Sequence, residues 1–143
     1  MRVVPWAVIG GLTSALLVGC GQVQADADAA AARVADQVLP EAVAAAITTS
    51  GARTPEQRAV AGETWLSEPD PAVTESQGGT TWFVRGREGT AIRLDVYARV
   101  ESGSFLPPDQ GQAAWGVACR SFDVGEKVTV TPVECPEGTP ETP

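Results

Sequence analysis

The sequence predicts an α+β domain in which one or more N-terminal helices pack on a four-stranded antiparallel meander. Three observations carry this. Alanine and valine positions between Ala31 and Ile47 recur at helical spacing. From Thr80 onward the apolar period changes to two. A stretch rich in Pro, Ser and Gly, 68–79, separates the two regimes. The 143 residues give room for one domain, and a hydrophobic content of 43% suffices for a packed core. A helix stripe and a sheet face each need cover, so the two layers are expected to pack on each other.

The first element is an export segment. After Met1-Arg2, no residue from Val3 to Val18 is charged, and most are apolar. The run is short for a bilayer-spanning helix of about 20 residues, and Pro5 and Gly10-Gly11 interrupt it. It ends in Leu17-Val18-Gly19-Cys20, which resembles the lipobox of bacterial lipoproteins. The resemblance covers about the first twenty residues. It implies that residues 1–19 are a lipoprotein signal peptide, that lipid (diacylglyceryl and palmitate-type chains) is attached to Cys20, and that the chain is cleaved before it. Two acyl chains anchor stably where one does not. Val23-Gln24-Ala25 offers a competing cleavage site that would release a soluble secreted protein from Asp26. Retention as an uncleaved anchor is a third outcome. All three place the domain outside the cytoplasm, and the first places it lipid-anchored on the extracytoplasmic face of the cell membrane.

Removing nineteen residues that hold one arginine and no acid leaves 124 residues with a net charge of −9. Such a chain is repelled by anionic lipid, so the covalent lipid must hold it there. One lysine among ten cations, with abundant alanine, resembles the style of small lipoproteins of high-GC Gram-positive bacteria. That resemblance implies no activity.

Residues 20–32, small and polar, are expected to form a tether, with alanine allowing a helix to begin within it. Residues 33–135 are the single α+β domain. Ala31, Val34, Ala35, Val38, Ala42 and Ala46 fall on one helical face, and Pro40 either kinks the helix or starts a second one. Gly51 is the stop. Thr54-Pro55-Glu56-Gln57 carries the signature of a capping box, predicting a helix from Pro55 to about Leu66, with Val60, Trp65 and Leu66 as its contacts.

The strands follow. The pattern predicts 80–86 as the first, a turn at 87–89, and 90–101 as the second. In the second, Ile92, Leu94, Val96, Ala98 and Val100 face one way, and Arg93, Asp95, Tyr97, Arg99 and Glu101 the other. Residues 103–111 read as a loop. The third strand is 112–122, with Trp115, Val117 and Cys119 on one face. The fourth is 127–133, with Val128 and Val130 facing inward. Residues 136–143, rich in Pro, Glu and Thr, are expected to be a disordered tail.

With Cys20 taken by lipid, Cys119 and Cys135 remain as a pair in an oxidising compartment, and a disulfide is expected. A turn centred near Gly125 would set Cys119 against about Val130. Either the turn is longer or the chain doubles back after Pro132, and the second is the expectation.

Little in the sequence points to catalysis. There is no histidine, which excludes His-based nucleophile activation and metal ligation by His. No catalytic or metal-binding motif is present, so the expectation is no catalytic residue, no metal and no cofactor. A pI near 4.4 excludes nucleic acid as a bulk partner. The feature that stands out is basic: Arg85, Arg87, Arg93 and Arg99 are all odd-numbered, as are Phe83 and Tyr97. In the simplest register they share the polar face of one hairpin, with Phe83 opposite Arg93 as a cation–π pair. This is a candidate platform for an anionic cell-wall polymer, a phosphate-bearing ligand or an acidic protein, against the plainer reading of a solvated strand face. The three mature tryptophans, Trp65, Trp82 and Trp115, read as core anchors rather than a sugar groove. The expected function is a non-catalytic binding or scaffolding module of the cell envelope. The alternatives are an envelope hydrolase using carboxylates and a secreted soluble protein.

Overall fold

Helical structure starts well before the apolar stripe. The computed structural model describes residues 17–102 and 112–143. Residues 1–16 of the expected signal peptide, 1–19, and the expected loop at 103–111 lie outside them. Helix α1 spans Leu17–Arg33. Val23, Ala27 and Ala31 are buried at four-residue intervals along it, which is one face of a helix. Residues 21–32 are therefore part of the domain rather than a tether. Their small side chains let α1 lie close against the sheet.

Val34–Val38 is a π-helical turn in which the Leu39 N–H donates to the Val34 carbonyl. The cause is Pro40, which has no N–H and whose ring would strike the carbonyl four residues back. The wider turn makes room and adds one residue. The buried stripe is consequently shifted from the predicted Val38, Ala42 and Ala46, which are half-buried, to Leu39, Val43 and Ile47, which are fully buried. Helix α2, Leu39–Ser50, stops at Gly51, whose φ of 73° is left-handed. Helix α3, Pro55–Ser67, starts with the predicted capping box: Gln57 N–H donates to Thr54 Oγ1, and the Gln57 side chain accepts from Thr54 N–H. Its buried residues are Ala59, Gly62 and Leu66, while Val60 points outward at 49% exposure. Gly62 sits where Ile47, Ile92 and Val124 converge. A short helix α4, Pro71–Ser76, capped by Asp70, occupies part of the predicted loop.

The sheet is a meander in the order β1-β2-β3-β4, with β1 Thr80–Glu88, β2 Ala91–Ser102, β3 Gln112–Asp123 and β4 Thr129–Pro132, all neighbours antiparallel. The α+β architecture is as the sequence predicts. The first turn is Gly89-Thr90, one step later than expected, with Gly89 at a φ of 60°. Helix α1 covers β2 and β3, α3 covers β1 and β2, and α2 packs on α3. Between the layers lie Trp82, Ile92, Leu94, Val96, Ala118 and Phe122. Trp82 stacks on Trp65 with ring centroids 5.8 Å apart, and its Nε1–H donates to the Leu66 carbonyl at 2.9 Å.

Cys119 and Cys135 are joined by a disulfide, their Cα atoms 5.2 Å apart. The expected doubling back is only part of the route. The β3–β4 loop is longer than a tight turn: Asp123 pairs with Thr129 and Phe122 with Val130, so Val133, not Val130, comes opposite Cys119. The last two residues are closed by a bend after Pro132. The tail is also not a free coil. Gly138, at a φ of 81°, lies in a turn closed by Thr139 N–H on the Pro136 carbonyl. The Tyr97 hydroxyl donates to the Pro140 carbonyl at 2.9 Å. Tied at Cys135 and at Pro140, the segment crosses the sheet face opposite the helices.

Candidate functional site: the outer face of the sheet

A bulge decides which residues share this face. The β1–β2 register runs Phe83↔Asp95 and Val84↔Leu94, then slips by one, with Gly86↔Arg93 and Arg87↔Ile92. Arg85 is the extra residue. A bulge places two residues of one strand against one of the other, and parity inverts beyond it. Phe83, Arg85, Arg93, Tyr97 and Arg99 keep to the outer face. Arg87 does not. It lies on the helix side, where its Nε donates to Glu63 Oε2 at 2.7 Å and Nη1 reaches Glu56 Oε1 at 3.4 Å. The expected Phe83–Arg93 pair is also absent: Phe83 stands opposite Asp95 and meets Tyr97 edge to face, centroids 5.9 Å apart.

The rest of the face is largely self-neutralised. Asp95 is 1% exposed and holds Arg85 in a hydrogen-bonded ion pair. Hydrogen bonding to Asp95 holds the Arg85 guanidinium above its ordinary pKa, against the opposing effect of burial. Hydrogen bonding to Glu63 does the same for Arg87. Burial pushes the Tyr97 hydroxyl up, and the nearby Asp95 charge adds to it. Arg99 pairs with Glu101 at 2.9 Å. Arg93 is exposed and makes no ion pair with another described residue. Of the six residues expected to form an anionic platform, Arg93 is thus the outward cation without an ion pair to a described residue, on the face that also carries the Phe83–Tyr97 pair.

The chemistry open to this arrangement is limited. The buried carboxylate is occupied by Arg85, and the Tyr97 hydroxyl by a backbone carbonyl, so neither is presented to a reacting group. Among the described residues, no group of three or more His, Cys, Asp and Glu side chains could hold a metal ion. Trp115 and Cys119 also lie on this face, opposite Arg99 and Asp95; among the described tryptophans only Trp82 is fully buried.

Two features escape the alternation argument. On the inner face, Arg120 grips Asp36 of the π-helical turn through Nε at 2.7 Å and Nη2 at 3.1 Å. At Gly116 the backbone of α1 lies directly against β3. A Cβ there would lie 2.1 Å from the Ala27 carbonyl carbon. An isolated glycine inside a strand is itself the signal for such an approach. No helix among the described residues is long and apolar enough to cross a membrane. No protein-family model matches the chain, and no curated protein or solved structure shows significant similarity to it.

Proposed function

We propose that this chain is an exported lipoprotein of a bacterial envelope. A diacylglyceryl group on Cys20 holds it at the outer face of the membrane, and its α+β domain serves as a non-catalytic binding or scaffolding module. The observation that carries the reading is the ordered run Leu17-Val18-Gly19-Cys20 at the end of an uncharged segment. The Cys119–Cys135 bond supports it, since such bonds persist in oxidising compartments. The occupied state of Asp95 favours binding or scaffolding over carboxylate hydrolysis.

Release after Ala25 fits less well. That bond lies between Gln24, whose Nε2–H donates to the Trp115 carbonyl at 3.0 Å, and the buried Ala27. Cutting there would discard Val23 from the core. The test is the mass of the N-terminal peptide from the exported protein, with globomycin treatment and palmitate labelling of producing cells. A lipidated Cys20, and precursor accumulation under globomycin, are expected. An unmodified Asp26 terminus refutes the proposal.

A further inference from the structure

We infer that the outer face of the sheet is a docking site for proline-rich segments that carry glutamate, and that residues 136–143 of this chain are its resident, displaceable occupant. The ligand class thus named belongs to the binding module proposed above, on which the inference rests. It does not depend on the lipid anchor.

The face needs a cover, and the tail supplies part of it. The helices pack on the other side of the sheet. Yet Tyr97, on the outer face, is only 1% exposed. Its hydroxyl donates to the Pro140 carbonyl at 2.9 Å. The chain is led there from Cys135, which is bonded to Cys119 on the neighbouring strand β3.

What is seated there defines the chemistry. Residues 136–143 read Pro-Glu-Gly-Thr-Pro-Glu-Thr-Pro, with three prolines and no aliphatic or aromatic side chain besides. A proline has no N–H and a fixed φ, so such a segment presents carbonyl acceptors and loses little freedom on docking. Aromatic-lined surfaces are the usual seats for segments of this kind. Phe83 stands edge to face against Tyr97 and is 46% exposed, so aromatic surface is left for a ligand beyond what the tail covers. The charges match as well. The tail carries Glu137 and Glu141, and the face it crosses bears Arg85, Arg93 and Arg99. Of these, Arg93 makes no ion pair with a described residue.

The occupant is loosely held. Every residue of 136–143 is exposed except Thr139, which is half-buried. Among the described residues, Tyr97 supplies the one hydrogen bond between this segment and the sheet. The bonds from Thr139 to the Pro136 carbonyl are internal to the tail. A single such bond leaves the segment lifted in about one molecule in six. It stays because it is tethered, at an effective concentration of about 1 mM. Together these set a dissociation constant of about 0.2 mM for the same segment offered as a free peptide. A free segment that also reaches Phe83 and Arg93 displaces the tail more readily.

The experiment titrates the exported, disulfide-bonded full-length protein with a capped synthetic peptide, Pro-Glu-Gly-Thr-Pro-Glu-Thr-Pro, and follows amide chemical shifts. Wild type is compared with Pro136→Gly combined with Pro140→Gly, two exposed positions whose change frees the tail without touching the core. A third protein adds Tyr97→Phe. The peptide should shift amides 81–83 and 95–97, bind the released variant at about 0.2 mM, and bind wild type about fivefold more weakly. Tyr97→Phe should weaken it again, and a peptide with alanine at each proline should not bind. Equal binding by the alanine peptide means that charge alone is read, and overturns the inference. So does an affinity unchanged by releasing the tail, or an absence of shifts on this face at millimolar peptide. Capture of an envelope component through Arg93 and Phe83 that the peptide does not compete also overturns it, while leaving the domain a binding module for another ligand.

Discussion

Replacing Gly116 with alanine tests the contact on which the position of α1 depends. Alanine in place of a strand glycine ordinarily gains about 0.5–1 kcal/mol through backbone entropy. Here the new Cβ would lie 2.1 Å from the Ala27 carbonyl carbon, 2.2 Å from its oxygen and 2.3 Å from the Asp28 nitrogen. These are backbone atoms and have no rotamer in which to escape. Ordinary contact is 3.4–4 Å, so the helix must back away by more than about 1 Å. Overpacking of this kind costs about 1–3 kcal/mol. If α1 leaves the sheet altogether, the burial of one valine and two alanine methyls goes too, raising the loss to about 4 kcal/mol. The expected destabilisation is therefore about 2–4 kcal/mol, opposite in sign to the generic effect. Urea unfolding followed by tryptophan fluorescence measures it. Gly86→Ala is the control, because nothing lies within 4 Å of a Cβ there and its φ is not positive. A Gly116→Ala protein as stable as wild type would refute the close approach and with it the seat of α1 on the sheet.

Cys135→Ser opens a loop closed across a separation of 16 residues and should cost about 3 kcal/mol in the chain-entropy account, read from the same urea curves. Tyr97 is the sole tyrosine, so an alkaline ultraviolet titration reports on it alone. Its midpoint should lie above the ordinary 10.0 and fall back toward it in Cys135→Ser, as the tail that helps bury it is released. Because the folded state holds this proton more tightly than the unfolded state, the Tyr97 contribution to stability is intact below pH 10. It declines as the pH rises from there through the raised midpoint, and pH-dependent unfolding should show that slope. Asp36→Ala leaves Arg120, whose side chain is 12% exposed, without its carboxylate. The expected loss is about 2–3 kcal/mol, and Asp36→Ala combined with Arg120→Met should recover most of it.

The helices and the meander were legible because each rests on a local rule. The capping box at Thr54 and Gln57, the stop at Gly51 and the alternation from Ile92 to Ala98 need no knowledge of the rest of the molecule. The errors lie where one residue changes the phase of everything after it. Pro40 was visible, but its effect was not: instead of breaking the helix it added a residue through a π-helical turn, and Leu39, Val43 and Ile47 replaced the predicted stripe. The β3–β4 loop did the same to the disulfide. The small-residue segment 21–32 reads as a tether by polarity alone. Its fate was written elsewhere, in Gly116, whose missing side chain lets a helix of alanines approach the sheet.

The outer face follows the same logic, with a consequence for binding. Without the extra residue at Arg85, parity would have put Arg87 beside Arg93, and four guanidiniums would have lined one hairpin. The bulge turns Arg87 over to Glu63 and Glu56, where it ties α3 to β1. It also leaves Arg85 beside Asp95, whose burial at 1% exposure no alternation pattern announces. Of the basic hairpin that the sequence displays, most of the charge thus goes into holding strands and helices in register. A partner that reads this face would meet Arg93 together with Phe83, which is 46% exposed, and little other net charge. Such a surface suits a mixed apolar and singly anionic group better than a polyanion. Arg93→Ala combined with Phe83→Ala should therefore weaken a partner of that kind in titrations against envelope fractions, while Arg99→Ala should not. Equal losses from Arg93→Ala and Arg99→Ala would mean that a broad positive field governs binding after all.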